Sequence, residues 1–227
     1  DRPHKCTVIL LSNMECYSLK KLVFLLLSLG LISCSDVDTK DVAWTTSDDD
    51  IHFSNEKFKM SIVKPKSWYA QNVKELVAMQ HRGMDIMSGS DENLEAILEA
   101  SLKTSLPLFG FHEFTPGTPT TTNSSLMGVA ENITALPGIK SGCDYLYHAK
   151  QLIKQAQVKV EFEDECLNQE INGVNISYFN SQMSVGTNTV KQKYMACLSG
   201  DYAIAVVHTI VNKEDTSEID GVLSTLK

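Results

Sequence analysis

Short runs with an apolar residue at every second position recur along the chain from residue 51 onward. This pattern predicts β-strands. Phe58, Met60 and Ile62 form one such run, which Pro65 ends because proline lacks the backbone donor that a sheet needs. Strands are predicted at 51–53, 58–63, 106–114, 125–129, 158–163, 174–185, 190–198 and 202–211. The stretch 203–207 is continuously apolar, so the last strand is expected to be central in its sheet.

Helices are predicted where apolar residues recur every three or four positions behind a capping residue. Asn72 precedes the first helix, which is expected to end by Gly83, and Ser90 or Asp91 precedes the second. The third and fourth helices are predicted at 141–155 and 215–226. The expected apolar residues of the first, second and fourth helices are Val73, Leu76, Val77 and Met79; Leu94, Ile97, Leu98 and Leu102; and Ile219, Val222, Leu223 and Leu226. The third helix is expected to present Tyr145, His148 and Leu152.

Turn residues separate the last four strands at short intervals, as in an antiparallel meander. The predicted tight turns are at Asn172-Gly173, 186–188 and 199–201. Strands and helices in this order predict an α+β fold in which helices cover an antiparallel β-sheet.

A second pattern occupies the front of the chain. Lys20 and Lys21 precede an apolar run at 22–32, which has the length of a signal-peptide core and is too short to span a membrane. The run closes as Leu-Ile-Ser-Cys at Cys34 and resembles the lipobox of bacterial lipoproteins. That resemblance implies a diacylglycerol on the Cys34 thiol, cleavage just before it and an acylated new amino terminus, which together anchor a protein stably to a membrane. The alternatives are an uncleaved anchor helix and a chance cysteine behind a signal.

The lipobox divides the chain into segments with different expected roles. Residues 1–13 precede Met14, the expected natural start, and are interpreted as a non-native upstream segment. The signal peptide is predicted at 14–33, a flexible tether rich in Asp, Ser and Thr at 34–50, and a single α+β domain at 51–227. Ser35, not Asp, follows Cys34, which favours the periplasmic face of the outer membrane of a Gram-negative bacterium over inner-membrane retention.

Charge limits the partners that this domain is expected to bind. The whole chain has a formal net charge of −8. Removal of residues 1–33 takes away four basic and two acidic residues and leaves about −10. Nucleic acids and anionic membrane surfaces repel such a chain. We therefore expect no nucleic-acid partner, and contact with the membrane only through the lipid anchor.

Lipidation of Cys34 would leave Cys143, Cys166 and Cys197 for at most one internal disulfide. Cys166 and Cys197 are expected at the ends of strands that flank a third strand, roughly 9.5 Å apart, which is farther than a disulfide spans. Whether these two pair stays open, because a bend in the loop at Cys166 would bring them together. Cys143 is interpreted as a partly buried structural cysteine.

Four segments in this order resemble the PsbP/DcrB-like superfamily: "FKMSIVKPKSWY", "NSSLMGVAEN", "KYMACLSGDYAIAVVHTI" and "IDGVLSTL". The resemblance covers most of residues 51–227 and consists of packing positions, turns and a Pro-Trp corner. It implies an α-β sandwich and a role as a lipoprotein or as an accessory subunit of a larger assembly. It implies no catalytic residues.

The sequence offers little for catalysis or metal binding. Cys143 and His148 would lie about 140° apart on a helix, so they do not share a face. His112 and Glu113 are adjacent in a predicted strand and point to opposite faces. The acidic run at Glu161, Glu163, Asp164 and Glu165 lacks the positions of a calcium loop and is interpreted as a solvated strand edge. No catalytic residues, metal or cofactor are predicted.

Aromatic residues are the remaining candidates for a site. Trp68, Tyr69, Phe109, Phe111 and Phe114 are numerous enough to line a groove between sheet and helices, although core packing explains them equally well. The leading hypothesis is a non-enzymatic, lipid-anchored periplasmic domain that binds another envelope protein. The alternative is a carrier of a small apolar ligand in that groove, and a hydrolase that uses His148 or Cys143 comes third.

Overall fold

The computed structural model describes residues 45–46, 51–119, 123–156, 159–163, 165–211 and 216–227. The strands within these residues are β1 Thr45–Thr46, β2 His52–Asn55, β3 Met60–Val63, β4 Tyr69–Ala70, β5 Ser105–His112, β6 Ser125–Asn132, β7 Val160–Phe162, β8 Leu167–Ile171, β9 Val174–Val185, β10 Asn188–Ser199 and β11 Tyr202–Val211. The helices are α1 Val73–Ser88, α2 Glu92–Thr104, α3 Gly142–Gln155 and α4 Ser217–Leu223. All of these elements belong to one compact unit, Val37–Lys227.

The main sheet has the strand order β4-β5-β6-β11-β10-β9-β7, and β8 also pairs with β9. All of its paired strands are antiparallel. Strand β11 lies between β6 and β10, which confirms the central position expected for the last strand. Strands β1, β2 and β3 form a separate small sheet, which begins inside the segment predicted as tether. The α+β fold class is confirmed.

One face of the main sheet packs against the small sheet and α4. Ile204 and Val206 of β11 belong to the main core, together with Ile62 of β3 and Ile219 of α4. The two β11 residues are separated by one position, so they point to the same face. The burial of Ile219, Val222 and Leu223 confirms that the closing helix presents these residues to the sheet.

The other three helices cover the opposite face. Helices α1 and α2 contact β5, and α3 contacts β9 and β10. Leu146 of α3 packs with Ala196, whereas the neighbouring Met195 belongs to the main core on the other side. The two faces of the main sheet are therefore covered by different elements: the small sheet and α4 on one, and α1, α2 and α3 on the other.

Helix α1 corrects one boundary. Asn72 caps it as predicted, through a reciprocal capping box with Glu75, but the helix continues past Gly83 to Ser88. A glycine inside a helix costs only about 1 kcal/mol, and the buried Met84 beyond it stabilises the extra turns. Val77, expected on the apolar face, is 39% exposed, so that part of the prediction was wrong.

Helices α2 and α3 begin at predicted residues. The Asp91 carboxylate accepts bonds from the backbone amides of Asn93 and Leu94, and the Ser141 hydroxyl accepts one from Asp144. In α2, Leu94 is buried and Ile97, Leu98 and Leu102 are half-buried. These caps satisfy amides that have no partner inside their helix.

Besides β1, which lies in the predicted tether, two short strands are absent from the sequence prediction. Strand β8 pairs along one side only, with β9, and its residues are exposed or half-buried, so it carries little apolar signal. Strand β4 has only two residues. The turn that joins β8 to β9 was predicted: Asn172 and Gly173 both have positive φ angles, 49° and 83°, as a two-residue hairpin turn requires.

Candidate functional site

An apolar cavity of about 270 Å³ lies on the face of the sheet that carries the small sheet and α4. The residues that line it are Phe58, Lys59, Met60, Ile171, Val174, Ile176, Met195, Ala196, Cys197, Leu198, Ser199, Ile204, Val206, Leu223, Leu226 and Lys227. Most of these side chains are hydrocarbon or thioether. Ligand sites in proteins are typically of this apolar, concave kind, with few polar groups.

The floor of the cavity is the β10–β11 ladder. Met195 pairs with Val206 and Cys197 with Ile204, so all four side chains point to one face. Ile204, Val206 and Met195 are buried, and Cys197 is half-buried. The alternation of β10 and β11 therefore supplies a continuous apolar surface at the bottom of the cavity.

The wall beside α4 is held by hydrogen bonds that the Asn-Gly turn makes possible. The Asn172 side-chain amide donates to the carbonyl oxygens of Ser224, at 2.8 Å, and Leu226, at 2.6 Å. The segment after α4 also pairs with β3, because the backbones of Lys227 and Ser61 exchange two hydrogen bonds of 3.0 Å. These bonds hold Leu226 and Lys227 at the cavity.

The mouth of the cavity is more polar than its floor. Lys59, Lys227 and Ser199 are exposed there, and Val174 is 43% exposed. Lys59 has a positive φ of 51° in the turn between β2 and β3. The mouth therefore combines an apolar wall with two lysine side chains.

Cys197 is the free cysteine among the described residues. Burial raises the pKa of its thiol, so the reactive thiolate is disfavoured at neutral pH. Its position on the cavity floor makes it a packing residue of the main core rather than an activated nucleophile.

A buried polar cluster lies next to the cavity floor. His208 of β11 pairs with Lys193 of β10, and its Nε2 has no hydrogen-bond partner among the described atoms. Burial lowers the pKa of His208 to about 4, although Asp220 acts in the opposite direction. The Lys193 amine donates to Gln169 at 2.9 Å and lies 4.1 Å from the Tyr178 ring centre. His208 is therefore neutral and Lys193 is satisfied.

A second polar cluster joins α1 to the sheet. His112 Nε2 lies 2.9 Å from Gln71 Oε1, and the Tyr69 hydroxyl donates to Glu75 at 2.6 Å. Burial lowers the pKa of His112 to about 4. The hydrogen bond from Tyr69 lowers the pKa of Glu75. Because Glu75 also closes the capping box of α1, this cluster fixes the start of that helix.

The structure contains a disulfide that the sequence analysis did not consider. Cys143, in the first turn of α3, bonds to Cys166, with 5.8 Å between their Cα atoms. Gly142 lets α3 approach the sheet this closely, because a Cβ there would collide with the carbonyl oxygen of Ala196. The open question about Cys166 and Cys197 is answered: Cys197 is unpaired. Cys143 has no free thiol, so the thiol pair imagined with His148 does not exist.

The aromatic residues predicted to line a groove lie elsewhere. Trp68, Phe109 and Phe111 are 5%, 2% and 1% exposed and belong to the main core. Tyr69 is half-buried and bonded to Glu75. None of these four residues lines the cavity described above, so ligand binding at them stays a prediction.

The remaining predicted site residues do not gather either. Cys34, the predicted lipidation residue, lies outside the described residues, as does Asp164 of the acidic run. Within the part of the chain that the structure describes, no three His, Cys, Asp or Glu side chains are placed to hold one metal ion. Nor does any described helix have the length and apolar character needed to cross a membrane.

No protein-family model matches this chain, and no curated protein matches it. The PsbP/DcrB-like resemblance is thus not confirmed by a family model. Solved structures that are similar include one from Bacteroides thetaiotaomicron, with 13% identity and a TM-score of 0.40. It covers 74% of this chain, which spans only 44% of that protein's length.

Two further solved structures are similar over different shares of the chain. Protein PA94 of Pseudomonas aeruginosa has 10% identity and a TM-score of 0.34, covering 49% of this chain and 71% of its own. LpqN of Mycobacterium tuberculosis, a protein involved in cell envelope biogenesis, has 10% identity and a TM-score of 0.39. It covers 74% of this chain and 83% of its own.

Proposed function

We propose that this chain is a lipid-anchored, non-catalytic binding protein of the bacterial cell envelope that holds a small apolar ligand in the cavity beside α4. The cavity itself carries the proposal. Each methylene group that a ligand buries there contributes about 0.8 kcal/mol to binding. A lining of hydrocarbon side chains supplies this contribution without specific polar contacts.

The walls of the cavity support binding because hydrogen bonds within the chain hold them in place. The Asn172 bonds to the carbonyls after α4 and the pairing of Lys227 with Ser61 keep both sides of the opening in place. A preformed site loses less conformational entropy on binding than one that has to be ordered.

Location in the envelope is supported by two independent features. The lipobox at Cys34 implies an acylated protein, and Ser35 behind it favours the periplasmic side of the outer membrane. The Cys143–Cys166 disulfide is typical of proteins outside the reducing cytosol. An anchored domain on a tether is suited to presenting a ligand to other envelope components.

A non-catalytic role is supported by the state of the reactive groups. Cys143 is bonded to Cys166, and burial raises the pKa of Cys197. His208 and His112 are held neutral, and each belongs to a structural cluster. None of these groups forms a nucleophile and base pair of the kind that covalent catalysis requires.

Native mass spectrometry of the full chain purified from bacterial envelopes tests this proposal. We expect a co-purified small molecule, and we expect Val174→Trp, which places a bulky side chain at the mouth, to abolish it. Val185→Trp is the matched control, because Val185 is a similarly exposed valine at the other end of the same strand. A ligand-free native protein would overturn the carrier function and favour the envelope partner protein of the first hypothesis.

The anchor is tested separately by Cys34→Ala. This variant should lose its lipid and leave the membrane fraction, while the fold of the domain is unchanged. A Cys34→Ala chain that stays in the membrane fraction would contradict lipidation at this residue.

A further inference from the structure

Charges at the mouth of the cavity indicate which class of apolar ligand it binds. We infer that the ligand is a single-chain amphiphile with an anionic head group, whose acyl chain lies in the cavity and whose head lies at Lys59 and Lys227. This inference rests on the proposed function, since it names the chemistry of the ligand in the same cavity.

The charged residues of the cavity lining indicate the charge of the head group. Of its sixteen residues, two are charged, and both are lysines. The chain as a whole is acidic, with a net charge of −8, so a lining whose charged side chains are all basic differs from the composition of the chain as a whole. The long stem of a lysine can cover apolar surface while its amine stays in water. Such a rim attracts an anion and repels a cation.

The position of the two lysines indicates where the head group lies. Both are attached to the small sheet: Lys59 directly precedes β3, and the Lys227 backbone is bonded to Ser61 within β3. Lys57 lies in the same turn, with its amine 5.2 Å from the Tyr202 ring and 5.9 Å from the ring of Phe58, a lining residue. Lys59 and Lys227 therefore lie on the side of the cavity that the small sheet forms, and Lys57 lies beside the lining residue Phe58.

The interior of the cavity indicates the orientation of the ligand. Apart from the rim, the side chains that line the cavity offer no charged partner, and Cys197 is the most polar group on its floor. A charged head group buried there would lose its hydration without compensation. The head must therefore stay at the mouth, with the chain pointing toward Met195 and Ile204, which fixes the orientation of the ligand.

The expected selectivity is modest because exposed charges are screened by water and salt. The acyl chain supplies most of the affinity. We expect an anionic amphiphile to bind about 3- to 10-fold more tightly than a neutral one with the same chain. This preference should shrink as the salt concentration rises.

Cys197 provides a direct reporter, because its thiol is on the cavity floor. The full chain is held in nanodiscs of neutral lipid and treated with N-ethylmaleimide, and modification of Cys197 is followed by peptide mass mapping. The probes are dodecanoate, dodecyl phosphate, dodecyl maltoside and dodecyltrimethylammonium. The thermal midpoint is measured in parallel and reports binding even where alkylation is slow, since a ligand that binds the folded state raises it.

Both anionic probes should protect Cys197 at about 3- to 10-fold lower concentration than dodecyl maltoside, and the cationic probe should protect least. The anion that acts at the lower concentration identifies the head group as carboxylate or phosphate. The double variant Lys59→Gln/Lys227→Gln should bind anionic and neutral probes equally. Lys103→Gln, an exposed lysine on α2 of the opposite face, should leave the preference unchanged.

The outcomes separate the two proposals. Equal protection by all four probes, blocked by Val174→Trp, would leave the carrier function standing and overturn the anionic ligand. No protection and no thermal shift with any probe would overturn both. An anion preference that survives the double lysine variant would also overturn the assignment of the head group to these lysines.

Discussion

The main core has two ends that are packed in different ways. At the end over β5 and β6, aromatic rings fill the space: the rings of Phe53 and Phe111 are 4.9 Å apart, and those of Phe109 and Phe111 are 5.0 Å apart. At the end over β9 and β10, aliphatic side chains line an open cavity. Both ends belong to the same face of the same sheet, so the chain combines a filled region with an open cavity, where we propose that a ligand binds.

Glycine is part of the reason why the aromatic end is closed. The Phe109 ring lies over Gly128, where an added Cβ would approach its ring atoms to within 2.5 to 2.9 Å. Because glycine has no side chain, the Phe109 ring can lie directly against the β6 backbone. The β10 and β11 residues at the cavity carry no aromatic ring and leave the space above them open, so the difference between the two ends follows from side-chain size.

The largest expected effect comes from opening the filled end. Phe111→Ala removes a ring that is 1% exposed, and such a deletion costs about 3–5 kcal/mol in free energy of unfolding. Val174→Ala at the cavity mouth should cost less than about 0.5 kcal/mol. Urea denaturation measures both. Similar losses for the two variants would show that the ends are not packed differently.

The next largest effect is expected on the face of the main sheet that α1, α2 and α3 cover, opposite the cavity. Loss of the Cys143–Cys166 bond in Cys143→Ala/Cys166→Ala should lower the free energy of unfolding by about 2–4 kcal/mol, since the disulfide restricts the unfolded chain. Dithiothreitol should reduce the stability of the native protein and leave that of the double variant unchanged. Cys197 should still be protected by ligand in the double variant, because the bond lies on the other face of the sheet.

A smaller effect is expected at the cavity wall. Asn172→Gly keeps the positive φ that the turn needs and removes both side-chain bonds to the segment after α4. We expect a loss of about 1–2 kcal/mol in stability and a clear loss of ligand retention, both measured on the purified full chain. Full ligand retention in this variant would mean that the wall does not depend on these bonds.

The smallest effect concerns pH and His208. Its pKa is about 4 in the folded protein and about 6.5 when unfolded, so the unfolded chain binds more protons between these values. Stability is therefore complete above pH 6.5 and falls as the pH drops toward 4. The difference in unfolding free energy between pH 7 and pH 5 should be smaller in His208→Gln by about 1 kcal/mol, allowing for partial solvation.

His112→Gln provides the comparison for the pH experiment. The pKa of His112 is also about 4, but it lies in the cluster at the start of α1, away from the cavity. Both variants should lose part of the pH dependence of stability. Unchanged pH dependence in both would contradict the proposed burial of neutral histidines.

Much of the fold could be predicted because its signals are local. The residues that cap α1, α2 and α3 were recognised, since a cap acts within three positions of itself. The Asn172-Gly173 turn was recognised for the same reason. The end of α1 was not, because burial of Met84 by the rest of the fold outweighed the weak helix-ending signal of Gly83.

The candidate site was predicted less well. Five aromatic residues were identified as either groove or core, and three of them, Trp68, Phe109 and Phe111, lie in the core. The residues that line the cavity occur on five strands, in the turn before β3 and in the segment around α4. Each apolar one looks like an ordinary core position in its own stretch. Whether these side chains fill the space between them depends on their combined volume. That volume cannot be read from any one segment of the sequence.

By itself, the sequence determined the local structure and the expected address of this protein, since caps, alternation, the Asn-Gly turn and the lipobox act between near neighbours. The tertiary structure decided which cysteines pair, where the cavity opens and which lysines stand at its mouth. These features depend on distances between residues far apart in the chain, such as Cys143 and Cys166 or Lys59 and Lys227. The packing of α3 against the sheet brings the two cysteines together. The backbone pairing of Lys227 with Ser61 brings the two lysines to the same side of the cavity.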